Sequence, residues 1–443
     1  VLLFFACLFS VGFFQPNYVV RSVQLAELDL NIFVEDRSGT SRFNQVKWLL
    51  LAAGAGLLLM VRTDRFLRLA SFSWPLILLM AIAMTTMLWS VDPGATMRRG
   101  LRSIIFVFVI LAAMSYIRDW KRALIVVYLA YWALFLQNLA GFAIPGTFDI
   151  FGNFTGATSQ KNQLGILAAV GILIGVWART VLIDPRHRAL NLFYLAGWFG
   201  LMALSFSKTA LALVVVTPML LVCLVSLAMA LRLSIGFTLF LVLSTFFLTL
   251  GLVDGLVGMT PLDLVRQIKA DLTFTGRTEI WSFLYEKVQD RLIGGFGFGA
   301  FWGQGMDSPS LTAPYAYIWY LDSAHNGYLE IVANCGLLGL GAMFLVLVHM
   351  SIAFDHVART DRTLAHMLWW IAIFILSHSM MEASLLRPTE TGMWFLFVFT
   401  YLTALRHVAD GRLGAGEADG VSLDAHLDGR PDDAASMPGM AVA

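Results

Sequence analysis

The amino-acid sequence predicts an all-α protein, a polytopic transmembrane helical bundle of about 12 spans with one long external loop containing amphipathic helices. Three observations carry that prediction. Of the 443 residues, 58% are hydrophobic and 13% charged, with a mean hydropathy of +0.75, whereas a soluble domain carries roughly 25% charged residues. Apolar runs near the length of a bilayer span, roughly 20 residues, recur along the chain. They are continuous rather than alternating, which selects helices over a closed barrel, the two forms that pair every backbone amide in lipid.

Apolar runs bounded by charge or by Gly and Pro place spans near 1–14, 46–61, 72–90, 101–117, 122–144, 161–183, 190–206, 208–231, 233–253, 328–354, 364–382 and 391–407. The first, Val1 to Phe14, reads as a clipped span rather than a signal peptide, because no cleavage site of small residues follows it. Residues 1–253 then hold helices one to nine, 254–327 an external loop and 328–407 the last three helices. The polar end, 408–443, is expected to be a disordered cytoplasmic tail. Cys7, Cys223 and Cys335 lie in apolar runs with no paired spacing, so they read as packing residues, not as a disulfide framework or a zinc cluster. A net charge of +1, dispersed over short loops, gives no reason to expect nucleic acid.

Orientation follows from alternate loops. One set holds Arg62, Arg65 and Arg68, then Arg118, Lys121 and Arg122, then Arg179, Arg186 and Arg188, then Arg232, Arg359, Arg362, Arg406 and Arg412. These short basic loops belong in the cytoplasm. The opposite set contains Arg98, Arg99, Lys161, Lys208, the long loop and Arg387, and so faces outward. Several of these external cations sit at the very ends of spans. Basic groups gathered at one depth suit an anionic ligand such as a lipid pyrophosphate. Snorkelling of single side chains to the headgroups is the competing explanation.

Within the long loop, Ile280, Trp281, Leu284, Val288 and Leu292 recur at helical spacing, which predicts an amphipathic helix over 278–292 lying on the bundle, with Arg277 at its start. The Gly294-to-Gly299 run lacks a Walker lysine and a strand-helix frame, and is expected to be a tight turn. The loop ends at His325-Asn326-Gly327-Tyr328-Leu329-Glu330. A histidine outside the bilayer core can take a proton near neutral pH. Asn326 and Glu330 share a helix face and are candidates to position a sugar hydroxyl, although a histidine that only caps the helix is an equal reading. His378 and Glu382 form an i, i+4 pair at the external end of span eleven, which would serve equally as an interhelical polar contact.

His325-Asn326, followed after nine residues by Gly336-Leu337-Leu338-Gly339, resembles the signature of the O-antigen ligase and polymerase superfamily, bacterial membrane proteins that attach or polymerise surface glycans. Gly276-Arg277-Thr278-Glu279-Ile280-Trp281, Gln160-Lys161-Asn162-Gln163-Leu164-Gly165 and Ser205-Phe206-Ser207-Lys208-Thr209-Ala210 add to the resemblance, which covers about 160–340. It implies a metal-independent, inverting glycosyltransferase without a cofactor, whose donor is a glycan on undecaprenyl pyrophosphate. Lys161, Lys208 and Arg277 then bind the pyrophosphate and His325 is the base, with Asn162, Asn326, Glu330, Glu382 and Arg387 in support. Members usually carry Arg where this chain has Lys208, which keeps the charge but loses the bidentate fork.

The resemblance implies the bacterial inner membrane, with the active site facing the periplasm. The acceptor is a second lipid-linked glycan for a polymerase, the preferred reading, or a lipid A core for a ligase. A chain-length regulator is a further partner that such a polymerase admits. A transporter of lipid-linked glycan is the rival from another class; it should show internal repeats and interrupted helices with polar residues near mid-membrane.

Overall fold

Short polar signals start the helices where the apolar runs begin. Asp92, Asp184 and Asp361 accept hydrogen bonds from the N–H groups of Ala95, Arg186 and Leu364 at 2.9, 2.7 and 2.9 Å. Pro93 and Pro185 follow two of these caps at a position whose amide needs no partner. In the computed structural model the helices are α1 (Leu2–Ser10), α2 (Arg42–Phe72), α3 (Trp74–Thr85), α4 (Pro93–Tyr116), α5 (Trp120–Ala140), α6 (Lys161–Ala178) and α7 (Pro185–Leu204). There follow α8 (Lys208–Leu231), α9 (Ile235–Val257), α10 (Arg277–Val288), α11 (Gly327–Val357), α12 (Arg362–Ser379) and α13 (Gly392–Leu427). The structure describes residues 1–14, 42–117, 119–144, 146–149, 152–158, 160–257, 276–302, 307–387 and 392–427, without the side chains of 42–45, 62, 247, 250, 251, 253–257 and 411–427. Arg118, the side chains of Arg62 and Arg412, and the loop residues 258–275 fall outside that description.

Every expected span coincides with a helix, but not every helix is a full span. Among the described residues six are long and apolar enough to cross a membrane: α4, α5 extended to Ala143, α6, α8, α11 and the Gly392–Asp410 part of α13. Counting α2, bent by 110° between Val61 and Thr63, as one span gives seven. The expected 12 is therefore not reached on length and hydropathy. The helix α1 has only 9 residues, the apolar stretches Trp74–Leu88 and Ile235–Phe246 are short, and α7 and α12 open on polar residues such as Arg186, His187, Arg188 and Arg362. The helix α13 runs on past Asp410 to Leu427, with no proline to interrupt it.

Close helix approach rests on small residues, as is usual where lipid leaves no hydrophobic drive between helices. A Cβ on Gly171 of α6 would meet the Trp198 ring of α7 at 2.7 Å. The helices α2 and α4, α3 and α11, and α8 and α12 pack likewise in pairs, and α13 runs deep among them with Trp394 to Leu405 almost wholly buried.

The described part of the long loop is folded onto α11 around its own apolar core of Ile280, Phe283, Leu284, Val288, Phe301 and Ile318. The expected amphipathic helix is α10, which ends in a 3-10 turn at Gln289–Arg291. The glycine-rich turn after it docks into a break in α11. Gly336 has φ +63°, and a Cβ there would meet Ile293 O at 2.2 Å. In a continuous helix Leu337 and Leu338 would donate to Ala333 and Asn334. Instead they donate to Leu292 and Ile293 oxygens at 2.9 and 3.1 Å, while Phe296 and Gly297 N–H groups donate to Ala333 and Asn334 oxygens at 2.9 and 3.0 Å. Four turn-to-helix bonds replace two helical ones. The Gly336 signature is thus the place where the described loop segment is locked to the bundle.

Candidate active site

His325 is delivered by a clamped peptide. The Ala324 N–H donates to Glu330 Oε2 at 2.8 Å, and the Ala324 carbonyl accepts from Trp281 Nε1 of α10 at 3.0 Å. Asn326 caps α11, its Oδ1 accepting from Tyr328 and Leu329 N–H at 3.0 and 3.1 Å, and its Nδ2 donates to Met380 O at 3.2 Å. Between these fixed points His325 sits at φ +48°, a left-handed conformation rare outside glycine and found where surrounding contacts over-determine the backbone. Asn326 and Glu330, expected to position a sugar hydroxyl, have instead their polar atoms engaged in structure. Glu330 is buried, with Trp302 Nε1 on Oε2 at 2.9 Å and Asn334 Nδ2 on Oε1 at 2.8 Å, because the loop folds back over this face of α11.

The imidazole meets Glu382. His325 Nδ1 lies 2.8 Å from Glu382 Oε2, and Arg277 Nη2 donates to Glu382 Oε1 at 2.7 Å. An ionised carboxylate only accepts, so Nδ1 is the donor in this contact. Burial opposes the charge on Glu382, but the hydrogen bond and charge of His325, with the charges of Arg277 and His378, outweigh it and hold the carboxyl below its ordinary range. The sequence pairs Glu382 with His378 by spacing. The helix α12 stops at Ser379, Glu382 swings to Arg277 and His325, and His378 bonds Ser384 instead. A second ion pair flanks this one, Arg387 Nη2 donating to Asp322 Oδ2 at 2.9 Å.

Arg277, His325, Glu382, Arg387 and Asn162 all line one cavity of about 580 Å³. Its other walls include Lys47, Arg102, Tyr131, Gln163, Tyr317 and His378. Residues of α1, α2, α4, α5, α6, α10, α12 and α13 all reach it. Lys161 and Lys208 open α6 and α8, and neither lines the cavity; Lys208 is exposed. The Ser205-to-Lys208 turn packs on α6, where a Cβ on Gly165 would meet Ser207 Cβ at 2.3 Å, so both lysines stand beside the wall rather than in it. Lys47 and Arg102 are missed by sequence reasoning; a cation inside an apolar run was the signal. Among the described residues no three His, Cys, Asp or Glu side chains are grouped to hold a metal.

Residues 151–344 match the family model described as O-antigen ligase, a range that contains Lys161, Lys208, Arg277, His325 and the Gly336 break and ends before Glu382. The chain is also similar to the exopolysaccharide production protein ExoQ of Rhizobium meliloti (strain 1021), 28% identical over 340 residues, which covers 74% of this chain and 76% of that protein. Over residues 151–344 the chain thus resembles the family described as O-antigen ligase, and along most of its length it is similar to an exopolysaccharide production protein.

Proposed function

We propose that this protein is a polymerase that joins glycan repeat units carried on undecaprenyl pyrophosphate, without a metal and with inversion at the anomeric carbon. The observation that carries the reading is the chain Arg277–Glu382–His325 on the wall of a cavity. His325 Nε2 takes the proton of the acceptor hydroxyl as its oxygen bonds to the anomeric carbon, a contribution of about 10²–10⁴-fold. The glycosidic electron pair leaves on the pyrophosphate oxygen. Glu382 holds the imidazole in the basic tautomer and stabilises the imidazolium that forms. Arg277 fixes Glu382 and offers its remaining donors to the leaving diphosphate, with Lys161 and Lys208 attracting the anion from beside the wall.

The alternation of basic loops supports 12 crossings, in which shorter helices rely on their neighbours, and an active site facing the periplasm from the inner membrane. The likeness to an exopolysaccharide production protein favours polymerisation, whereas the description of the matched family favours ligation to a lipid A core. Loop charge bears on that choice. Lys287 pairs with Asp290 at 3.1 Å, and Arg291 donates to Trp89 O at 2.7 Å and lies over the Phe296 ring. Cations spent internally offer little to a phosphorylated acceptor. A transporter would direct a broken helix at its cargo, but the backbone groups freed at Gly336 are taken up by the 292–297 turn.

The test uses purified protein in detergent, with no sealed compartment, and fluorescent lipid-linked glycan. Joining should proceed with wild type and fall by about 10²–10⁴-fold in His325→Ala. A folded His325→Ala protein that keeps more than about a tenth of the rate rules out the histidine as general base.

A further inference from the structure

One wall of the cavity carries aromatic surface that the chemistry at His325 leaves unused. A single run of chain builds that wall, with Tyr317, Leu321, Asp322, Ser323 and His325 all lining the cavity. Where the run begins, the one-turn helix Ala316–Trp319 buries Ile318 in the core of the loop, and Trp319 Nε1 donates to Ala313 O at 2.9 Å. Tyr315 and Tyr317 stay outside that packing, 49% and 43% exposed. Their ring centres lie 5.9 Å apart and the rings are 30° from parallel. Tyr317 is anchored as well. Its hydroxyl donates to Gly276 O at 3.2 Å, and a Cβ on Gly276 would meet that hydroxyl at 3.3 Å and ring carbon Cε2 at 3.6 Å. The Tyr317 ring therefore stands in the cavity against the residue that precedes Arg277, while Tyr315 lies beyond the cavity lining.

We propose that Tyr317 is the stacking surface for the pyranose ring next to the donor's diphosphate, and that Tyr315 takes the following ring as the glycan leaves the cavity. The inference deepens the polymerase reading and rests on its placing of the leaving diphosphate at Arg277. The first sugar is attached directly to that diphosphate, and Tyr317 is bonded to the residue directly before Arg277. A pyranose ring presents polarised C–H groups on its faces, which suit the negative face of an aromatic ring. Pockets for such ligands combine aromatic surface with a few polar groups, and Asn162, exposed in the same cavity, offers an amide to the hydroxyls. Tyrosines at a membrane surface also serve as interfacial anchors. An anchor presents its hydroxyl to the headgroups, whereas that of Tyr317 is bound to Gly276.

The probes are farnesyl diphosphate and the same lipid diphosphate carrying glucose or cellobiose, titrated calorimetrically into the purified full-length protein in detergent. Wild type should bind the glucose lipid about tenfold more tightly than farnesyl diphosphate. Tyr317→Leu should lose that preference with the affinity for farnesyl diphosphate unchanged, and Tyr317→Phe, which keeps the ring, should retain it. Tyr315→Leu should keep the glucose preference and lose only the further gain of cellobiose over glucose, about threefold. No glucose preference in wild type, or one that survives Tyr317→Leu, overturns the platform. Equal weakening of all the lipids by Tyr317→Leu would make the tyrosine a support for Arg277, and a Tyr317→Phe protein that behaves as Tyr317→Leu would assign the effect to the hydroxyl on Gly276; each result overturns it as well. Should Tyr317→Leu not fold, Tyr315→Leu decides, because a cellobiose gain equal to that of wild type contradicts the proposal. Glycan joining by the same wild-type protein separates this result from the polymerase reading. Joining without a glucose preference removes the platform alone, and a glucose preference without joining removes the polymerase reading alone.

Discussion

The bridge through Glu382 makes a quantitative demand. Its two oxygens meet His325 Nδ1 at 2.8 Å and Arg277 Nη2 at 2.7 Å, with the carboxylate 20% exposed. Each such charge-assisted bond contributes roughly 1.5–3 kcal/mol, and the bond to His325 strengthens when the imidazole gains its proton. Glu382→Gln keeps the size of the side chain but cannot stabilise that imidazolium. If the loss falls on the transition state, about 3–5 kcal/mol corresponds to a rate reduction of about 10²–10⁴-fold. His325→Ala should cost a similar factor. Because the two residues act as one unit, the double variant should be no slower than the worse single one within a few-fold. The assay is the initial rate of glycan joining in detergent for the four proteins of the cycle, with melting temperatures confirming that each is folded. Multiplicative losses, or a Glu382→Gln protein at wild-type rate, would refute the bridge as part of the catalytic unit.

Further perturbations address the same site and its support. Gly336→Ala places a Cβ 2.2 Å from Ile293 O at φ +63° and should lower stability by about 2 kcal/mol or more, whereas Gly341→Ala, with nothing within 4 Å, should be nearly neutral in the same melting assay. Equal melting of the two variants would remove the turn lock from the account. Glu382 titrates below its ordinary value of 4.5, so its ion pairs contribute fully above that pH and are lost as pH falls through the lowered value. Wild type should therefore lose melting temperature below pH 4.5 more steeply than Glu382→Gln; parallel curves would contradict this. Arg277→Lys should join glycan faster than Arg277→Ala but slower than wild type, since lysine keeps the charge and loses the fork; three equal rates would place Arg277 outside the site.

Much of the helical framework was legible because lipid imposes a simple rule on sequence: long apolar runs, bounded by charge or by Gly and Pro. The number of full crossings was less so, since apolar runs do not reveal that α1 is short or that α2 bends. His325 was legible as a titratable residue at a loop-helix junction, with Asn326 as the cap beside it. Its partner was only half visible. Glu382 sits four residues after His378, and helical spacing pairs them, but the helix ends at Ser379 and the turn beyond it carries Glu382 to Arg277 and His325. The partners of Glu330, Trp302 and Ala324, come from loop that folds over the helix face, which spacing along α11 does not reveal. Lys47 and Arg102 meet only through packing of α2 on α4, a tertiary fact without a local signature.

The central claim is polymerisation by the histidine-centred site, and one measurement tests it most directly. Purified wild-type protein is given a single lipid-linked repeat unit, with no other acceptor, and the products are resolved by length. The account predicts a ladder of longer lipid-linked glycans that is absent with His325→Ala. No ladder, but transfer of the glycan once lipid A core is added, would contradict it and make the protein a ligase.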